Sequence, residues 1–184
     1  MSLYQQILTA LAGAPTQNDR LLVLHTPLGR DVLVAERADI EEAIGPGAVD
    51  ADDGTATAIT PTAGCRVTVH ALAADTHIEL KSLIGQPALL ELLTSQSRTA
   101  LRPFHGHITR AELLGSDGGL ARYRLVIEPW LSFLAHRTDA YVFQRKTVVQ
   151  IIEEVFADYA GQGKLVPAWR WDLADANVYP ERSL

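Results

Sequence analysis

The 184 residues include a single cysteine, Cys65, so the chain can form no internal disulfide and no cysteine-built zinc site. Such usage suits a reducing compartment. Basic residues are also scarce, with 16 Lys and Arg against 22 Asp and Glu and a net charge of −6. A surface of that sign has no field to hold a phosphate backbone, which argues against nucleic acid as a partner and favours solubility. Long apolar runs are missing. The opening residues MSLYQQILTALAGAPTQ lack the basic start of a secretory signal and hold no stretch near bilayer-spanning length. The chain is therefore expected to be made and kept in the cytoplasm, at least initially. Catalytic signatures are absent too. There is no Gly-x-Ser-x-Gly elbow, and the glycines of Gly115-Ser116-Asp117-Gly118-Gly119 precede neither a Lys-Ser/Thr pair nor a helix.

What remains is the composition of a folded domain, 47% hydrophobic and 21% charged. A chain of this length buries about two-thirds of its unfolded surface, enough for one domain or for one domain and part of a second. The clearest pattern lies at Leu120–Glu128. Ala121, Tyr123, Leu125 and Ile127 alternate with Arg122, Arg124, Val126 and Glu128, which predicts a half-buried strand. Phe104–Leu114 reads as its partner, and the Gly115–Gly119 run between them supplies positive-φ glycines and an Asp for a hairpin turn. A one-residue slip would turn Tyr123, Leu125 and Ile127 to water, so burial pins the register.

Ser2 is placed to cap a short helix striped by Leu3, Ile7, Leu8 and Leu11, packed on the main domain or on a neighbouring chain, within an N-terminal helix and linker over 1–19. Arg20–His25 and Asp31–Arg37 are apolar runs split by Thr26–Arg30, the pattern of a first hairpin. Residues 45–64 are small and polar and read as a mobile insertion. Arg66–Ala73 and His77–Leu83 are predicted strands, with a helical turn at Leu80–Gly85 as the alternative. Ala88–Leu93 reads as a strand buried on both faces. Some six or seven strands at short spacing predict a sandwich or a barrel. Thr147 and Gln150 have capping-box spacing ahead of the stripe Val148, Ile151, Ile152, Val155, Phe156 and Tyr159, and Gly161 is placed as the stop. Trp169 and Trp171 then share one side of a possible strand.

Few residues suggest chemistry. His105 and His107 share a strand face at a spacing that suits two metal ligands, but no nearby motif adds a third, with His77 or His70 available only through the fold. They are read as ordinary strand histidines. Arg110, Glu112, Arg122 and Arg124 form an alternating charged face, either a solvated exterior or a contact surface between subunits. Trp130 after Pro129 is expected as a core anchor, and Tyr141, Val142 and Phe143 as packing at the barrel mouth.

Several motifs in register carry a resemblance: Pro27-Leu28-Gly29, Leu83-Ile84-Gly85-Gln86-Pro87, Phe104-His105-Gly106, Leu114–Tyr123, Glu128-Pro129-Trp130-Leu131 and Val142-Phe143-Gln144. From about Arg20 to Pro180 the chain resembles the N-terminal region of the valine-glycine-repeat (VgrG) spike proteins of the bacterial type VI secretion system, which are similar to the tail hub proteins of contractile-tailed phages. The resemblance implies a mainly β (α+β) chain with a tail-tube-like antiparallel β-barrel over 20–135 and a prominent C-terminal amphipathic helix. A linker and that helix would fill 136–163, and 164–184 would start a second hub segment, as in a fragment or truncated relative.

The implied function is structural: the base of a trimeric puncturing device that caps a secreted tube and helps deliver effectors. No catalytic, cofactor-binding or metal residues are expected. The implied partners are two further copies in the full-length protein, the tube protein beneath, and the spike tip and effectors through parts beyond this chain. Nucleic acid and an integral membrane segment are not expected. Export would follow from firing of the contractile apparatus, without a signal peptide. A hub of a phage or phage-like contractile tail is the alternative, and a hydrolytic enzyme the second.

Overall fold

The computed structural model describes residues 15–43, 64–95, 97–117 and 119–183. The helix expected near the N-terminus lies outside the described residues, as does the expected insertion except for Gly64, which opens a strand. Six strands, β1 (Leu22–His25), β2 (Val34–Ala43), β3 (Gly64–Ala73), β4 (Pro87–Thr94), β5 (Ser97–Asp117) and β6 (Leu120–Glu128), form one sheet in the order β1-β4-β5-β6-β3-β2. Every pairing is antiparallel. No described helix is long and apolar enough to cross a membrane.

The β5–β6 hairpin organises the sheet. Its strands pair from His107↔Glu128 to Asp117↔Leu120, so the turn is far tighter than the five-residue connection expected from sequence. Bulges between Ile108 and Arg110 and between Leu113 and Gly115 interrupt the ladder. Each adds a residue to β5 and increases its local twist, which curls so long a strand. Tyr123, Leu125 and Ile127 point inward at 1% exposure or less, alongside Val67, Val69, Ala71 and Ile108. Gly106 sits where β5 passes close to β6: a Cβ there would meet the Glu128 carbonyl oxygen at 2.5 Å. The backbone can approach that closely only because the side chain is absent.

Curling brings distant strands together. Arg102 of β5 donates to both carboxylate oxygens of Glu42 of β2, at 2.8 and 2.6 Å, although β6 and β3 lie between them in the sheet. The edge strands β1 and β2 come within 8 Å between Cα atoms but exchange no ladder among the described residues. The result is a curled, half-barrel antiparallel sheet with a filled interior.

At this seam the structure corrects the expected first hairpin. Thr26–Gly29 does form a turn, closed by Gly29 N donating to Thr26 O at 3.2 Å. Its flanking strands nevertheless separate, β1 joining β4 and β2 joining β3. Gln17 offers a reason. Its buried amide donates to Leu24 O at 2.9 Å and accepts from Leu24 N at 2.5 Å, taking the pairing groups that β1 would turn toward another strand.

Other expectations also change. Leu80–Leu83 is a 3-10 turn, so the His77–Leu83 strand does not form and the helical alternative holds. In β4 only Ala88 and Leu90 are fully buried, because alternate residues turn away from the core, among them Glu91, which pairs with His25 on the outside. Residues 164–183 form no strand; their sole ladder contact among the described residues is an isolated bridge between Lys146 and Arg182. The helix α1 covers Val148–Ala157. Thr147 accepts from Gln150 N, and the Gln150 side chain accepts from Thr147 N, a complete capping box. No side chain within α1 is fully buried.

Candidate assembly surface

The outer face of the sheet carries paired charges. Arg124 of β6 donates to Glu112 of β5 at 2.7 Å, and Arg110 shares the same carboxylate. Arg122 lies 3.5 Å from Glu36 of β2, and Arg66 of β3 donates to Glu128 at 2.9 Å. Thr109, displaced outward at the first bulge, donates to the other Glu128 oxygen. The Arg124 hydrogen bond, with Arg110 adding to it, holds the Glu112 carboxyl below the usual carboxylate range. Cross-strand pairs of this exposure contribute only some tenths of a kcal/mol each. The four residues that predict a charged face do gather there, and each is paired within the chain, Arg110 and Arg124 sharing the one Glu112 carboxylate. Among the described residues the face therefore holds no block of unpaired like charge to draw in an oppositely charged partner.

The expected histidine pair separates in environment. His105 is exposed, whereas His107 is 1% exposed beneath a 3-10 segment, Trp130–His136, with the Phe133 ring 6.2 Å from its own. His70 lies on β3 and His77 in an exposed loop beside Asp75 and Thr76. No cluster of three or more His, Cys, Asp or Glu side chains suited to a metal ion occurs among the described residues.

An open groove of about 810 Å³ runs along β2, β3 and the hairpin rim, lined by Glu36, His70, Ser116 and Arg122 among others. Ser116 and His70 share it without a hydrogen bond between them, and Glu36 is turned to Arg122. That arrangement gives a serine no base to activate it. Cys65 is no better a nucleophile, since burial first and the Glu42 charge second push its thiol pKa up.

Past the hairpin, Trp130 does act as an anchor, but for the C-terminal segment. Its indole Nε1 donates to Ala168 O at 3.0 Å, and its ring meets Phe156 edge-on at 4.8 Å, with Trp169 at 6.0 Å and Tyr159 at 6.2 Å. Tyr141 stacks on Phe143 at 5.4 Å and donates to Asp158 at 2.5 Å. The Asp158 bond first, and burial second, push the Tyr141 phenol up to about 12. Arg137 donates to Asp139 at 2.7 Å and to Asp158 at 3.2 Å, which raises its pKa further and lowers that of Asp139. Tyr141 thus reaches Asp158 at the C-terminal end of α1 with Phe143 stacked on it, while Val142 is exposed.

Leu131, Tyr141, Val142, Val148, Val166, Trp169 and Val178 are large apolar side chains left exposed here, seven of eleven among the described residues. Sequence reasoning missed this surface. Its one signal was apolar residues such as Val142, Val166 and Val178 lying off any periodic stripe. Exposed apolar side chains in such number within one segment are suited to contact with other protein.

Residues 63–184 match the family model of the phage tail baseplate hub (GPD). Pseudomonas aeruginosa type VI secretion system spike protein VgrG1b is 30% identical over 147 residues, 79% of this chain and 17% of the relative. VgrG1a of the same organism is 30% identical over 141 residues, 76% of this chain and 19% of the relative. The chain thus spans less than a fifth of the length of these spike proteins. Among solved structures, an Escherichia coli protein (c3393) described as a component of the type VI secretion system is similar at a TM-score of 0.49 and 23% identity, over 65% of this chain and 30% of that one. The matched region takes in the β3 strand, the whole β5–β6 hairpin, the Trp130 anchor and α1. The chain belongs to the phage tail baseplate hub family, in the company of the VgrG spike proteins.

Proposed function

We propose that this chain is a structural hub segment of a type VI secretion spike, working by shape and matched surfaces rather than by bond chemistry. The supporting observation is the family match over 63–184, together with identity to spike proteins of 30% across more than three-quarters of the chain. A filled, curled sheet is a stiff body able to bear load, and its side-chain pairs leave no activated nucleophile among the described residues. In this reading residues 20–135 are the tube-like barrel unit, 136–163 the linker and helix, and 164–184 the start of a second hub segment whose exposed apolar side chains meet further protein. The assembled spike would contain three copies and cap the secreted tube protein, with effectors carried at the tip. It would assemble in the cytoplasm and leave with the contracting apparatus.

Deleting the gene and measuring tube protein in the medium tests this. Loss of its release, restored by the wild-type gene, is expected; undiminished release would overturn the proposal. The family model's own description favours a second reading, the hub of a phage or phage-like contractile tail. Contractile particles purified from the cells separate the two, since a phage tail carries the chain on particles joined to DNA-filled heads.

A further inference from the structure

His107 is buried to 1% exposure, and neither ring nitrogen has a hydrogen-bond partner. Such a ring is tolerated only while neutral, because an imidazolium would bring two donors and a charge into a site with no acceptor to meet them. Its surroundings can be named from each side. On β5 itself stands His105, with ring centroids 6.1 Å apart. From β4 the register partner is Pro87, which carries no charge. From β6 the partner is Glu128, whose carboxylate is already taken by Arg66 and Thr109. The 3-10 segment contributes Phe133, with His136 behind it at 6.4 Å from the Phe133 ring.

The same segment is what joins sheet to C-terminal block, since it begins at Trp130, the residue against which Phe156 and Trp169 pack. We propose that His107 is a proton-operated latch: a proton on its imidazole drives the ring from its dry seat and lifts Trp130–His136, with the C-terminal block, off the sheet. Burial first, and the neighbouring His105 second, hold the His107 pKa below its ordinary 6.5. The docked state binds this proton less readily than the released state. Docking is therefore complete above about pH 6.5 and is lost as pH falls from there through the lower docked value.

Amide hydrogen exchange of the whole chain between pH 8 and pH 5, corrected for intrinsic rates, tests the latch. Wild type is expected to lose protection at 130–136 between pH 7 and pH 5 as the imidazole takes up its proton. His107→Phe, apolar and without a titrating group, should keep that protection, while His105→Gln and His136→Gln should still lose it. Equal losses in wild type and His107→Phe would overturn the proposal. Should the Phe variant not fold, NMR titration of the wild-type ring decides: a midpoint below 6.5 that coincides with loss of protection supports the latch, and an ordinary midpoint with the segment still docked refutes it.

Discussion

Inside the curled sheet sixteen buried residues make one continuous core, whereas after Glu128 only Trp130, Phe143 and Tyr159 are buried among the described apolar residues. The sheet holds itself by five ladders, two of which, β1–β4 and β3–β6, join strands distant in sequence, and its inward side chains cover one another. The C-terminal segment holds to its surroundings through a few aromatic contacts centred on Trp130 and a charge network around Arg137. Regions with few buried contacts open at lower free energy than a shared core does. A rigid body joined to a loosely held segment with exposed apolar side chains suits a piece that completes its packing against other protein.

Breaking the sheet should have the largest effect. Tyr123→Ala removes a side chain that is 1% exposed and whose hydroxyl donates to Asp75 O at 2.9 Å. Denaturant unfolding should show a loss of about 3–5 kcal/mol, felt over the whole chain. Tyr123→Phe, which loses only the hydroxyl contact, should lose about 1 kcal/mol.

Trp130→Ala sharpens the contrast from the other side. Exchange protection in α1 and residues 164–183 should fall while amides of β3, β5 and β6 stay protected. Equal loss in both regions would show that the two form a single cooperative unit.

Gln17→Ala exposes the seam by leaving Leu24 N and O without their side-chain partner. A loss of about 1–3 kcal/mol is expected by thermal or chemical denaturation. Concentration-dependent association in sedimentation would add evidence that the amide shields the β1 edge.

The smallest effect is expected at the exposed ion pairs. The Glu112 carboxyl has a folded pKa below its ordinary 4.5, so its contribution is present above pH 4.5 and is lost as pH falls through the lower folded value. Glu112→Gln should flatten that part of the stability-versus-pH curve and leave neutral-pH stability almost unchanged, as pH-dependent denaturation would show.

Much of this architecture is legible in the residues themselves. Alternation at Leu120–Glu128 marks both the strand and its inward face, because period-two burial has few other causes. The capping box at Thr147 and Gln150 is equally plain, since it is a local exchange of hydrogen bonds within one turn. The hairpin register is readable only in part. Bulges after Ile108 and Leu113 shift it, and only the second carries a compositional mark, the positive-φ Gly115. Which charges pair across the face is hidden as well, because Glu36 and Glu128 reach Arg122 and Arg66 only through the strand order.

By itself, then, the sequence determined local matters: which residues alternate, where the hairpin turns, where the helix starts, and which known family its motifs match. Tertiary structure alone decided that β1 and β2 would part, that Arg102 would reach Glu42 across the curl, and that His107 would be sealed under Phe133. The physical reason is range. Periodicity and capping act between residues a few positions apart, whereas the seam, the curl and the buried imidazole depend on contacts spanning from seven positions, at Gln17 and Leu24, to seventy, at Leu22 and Leu92.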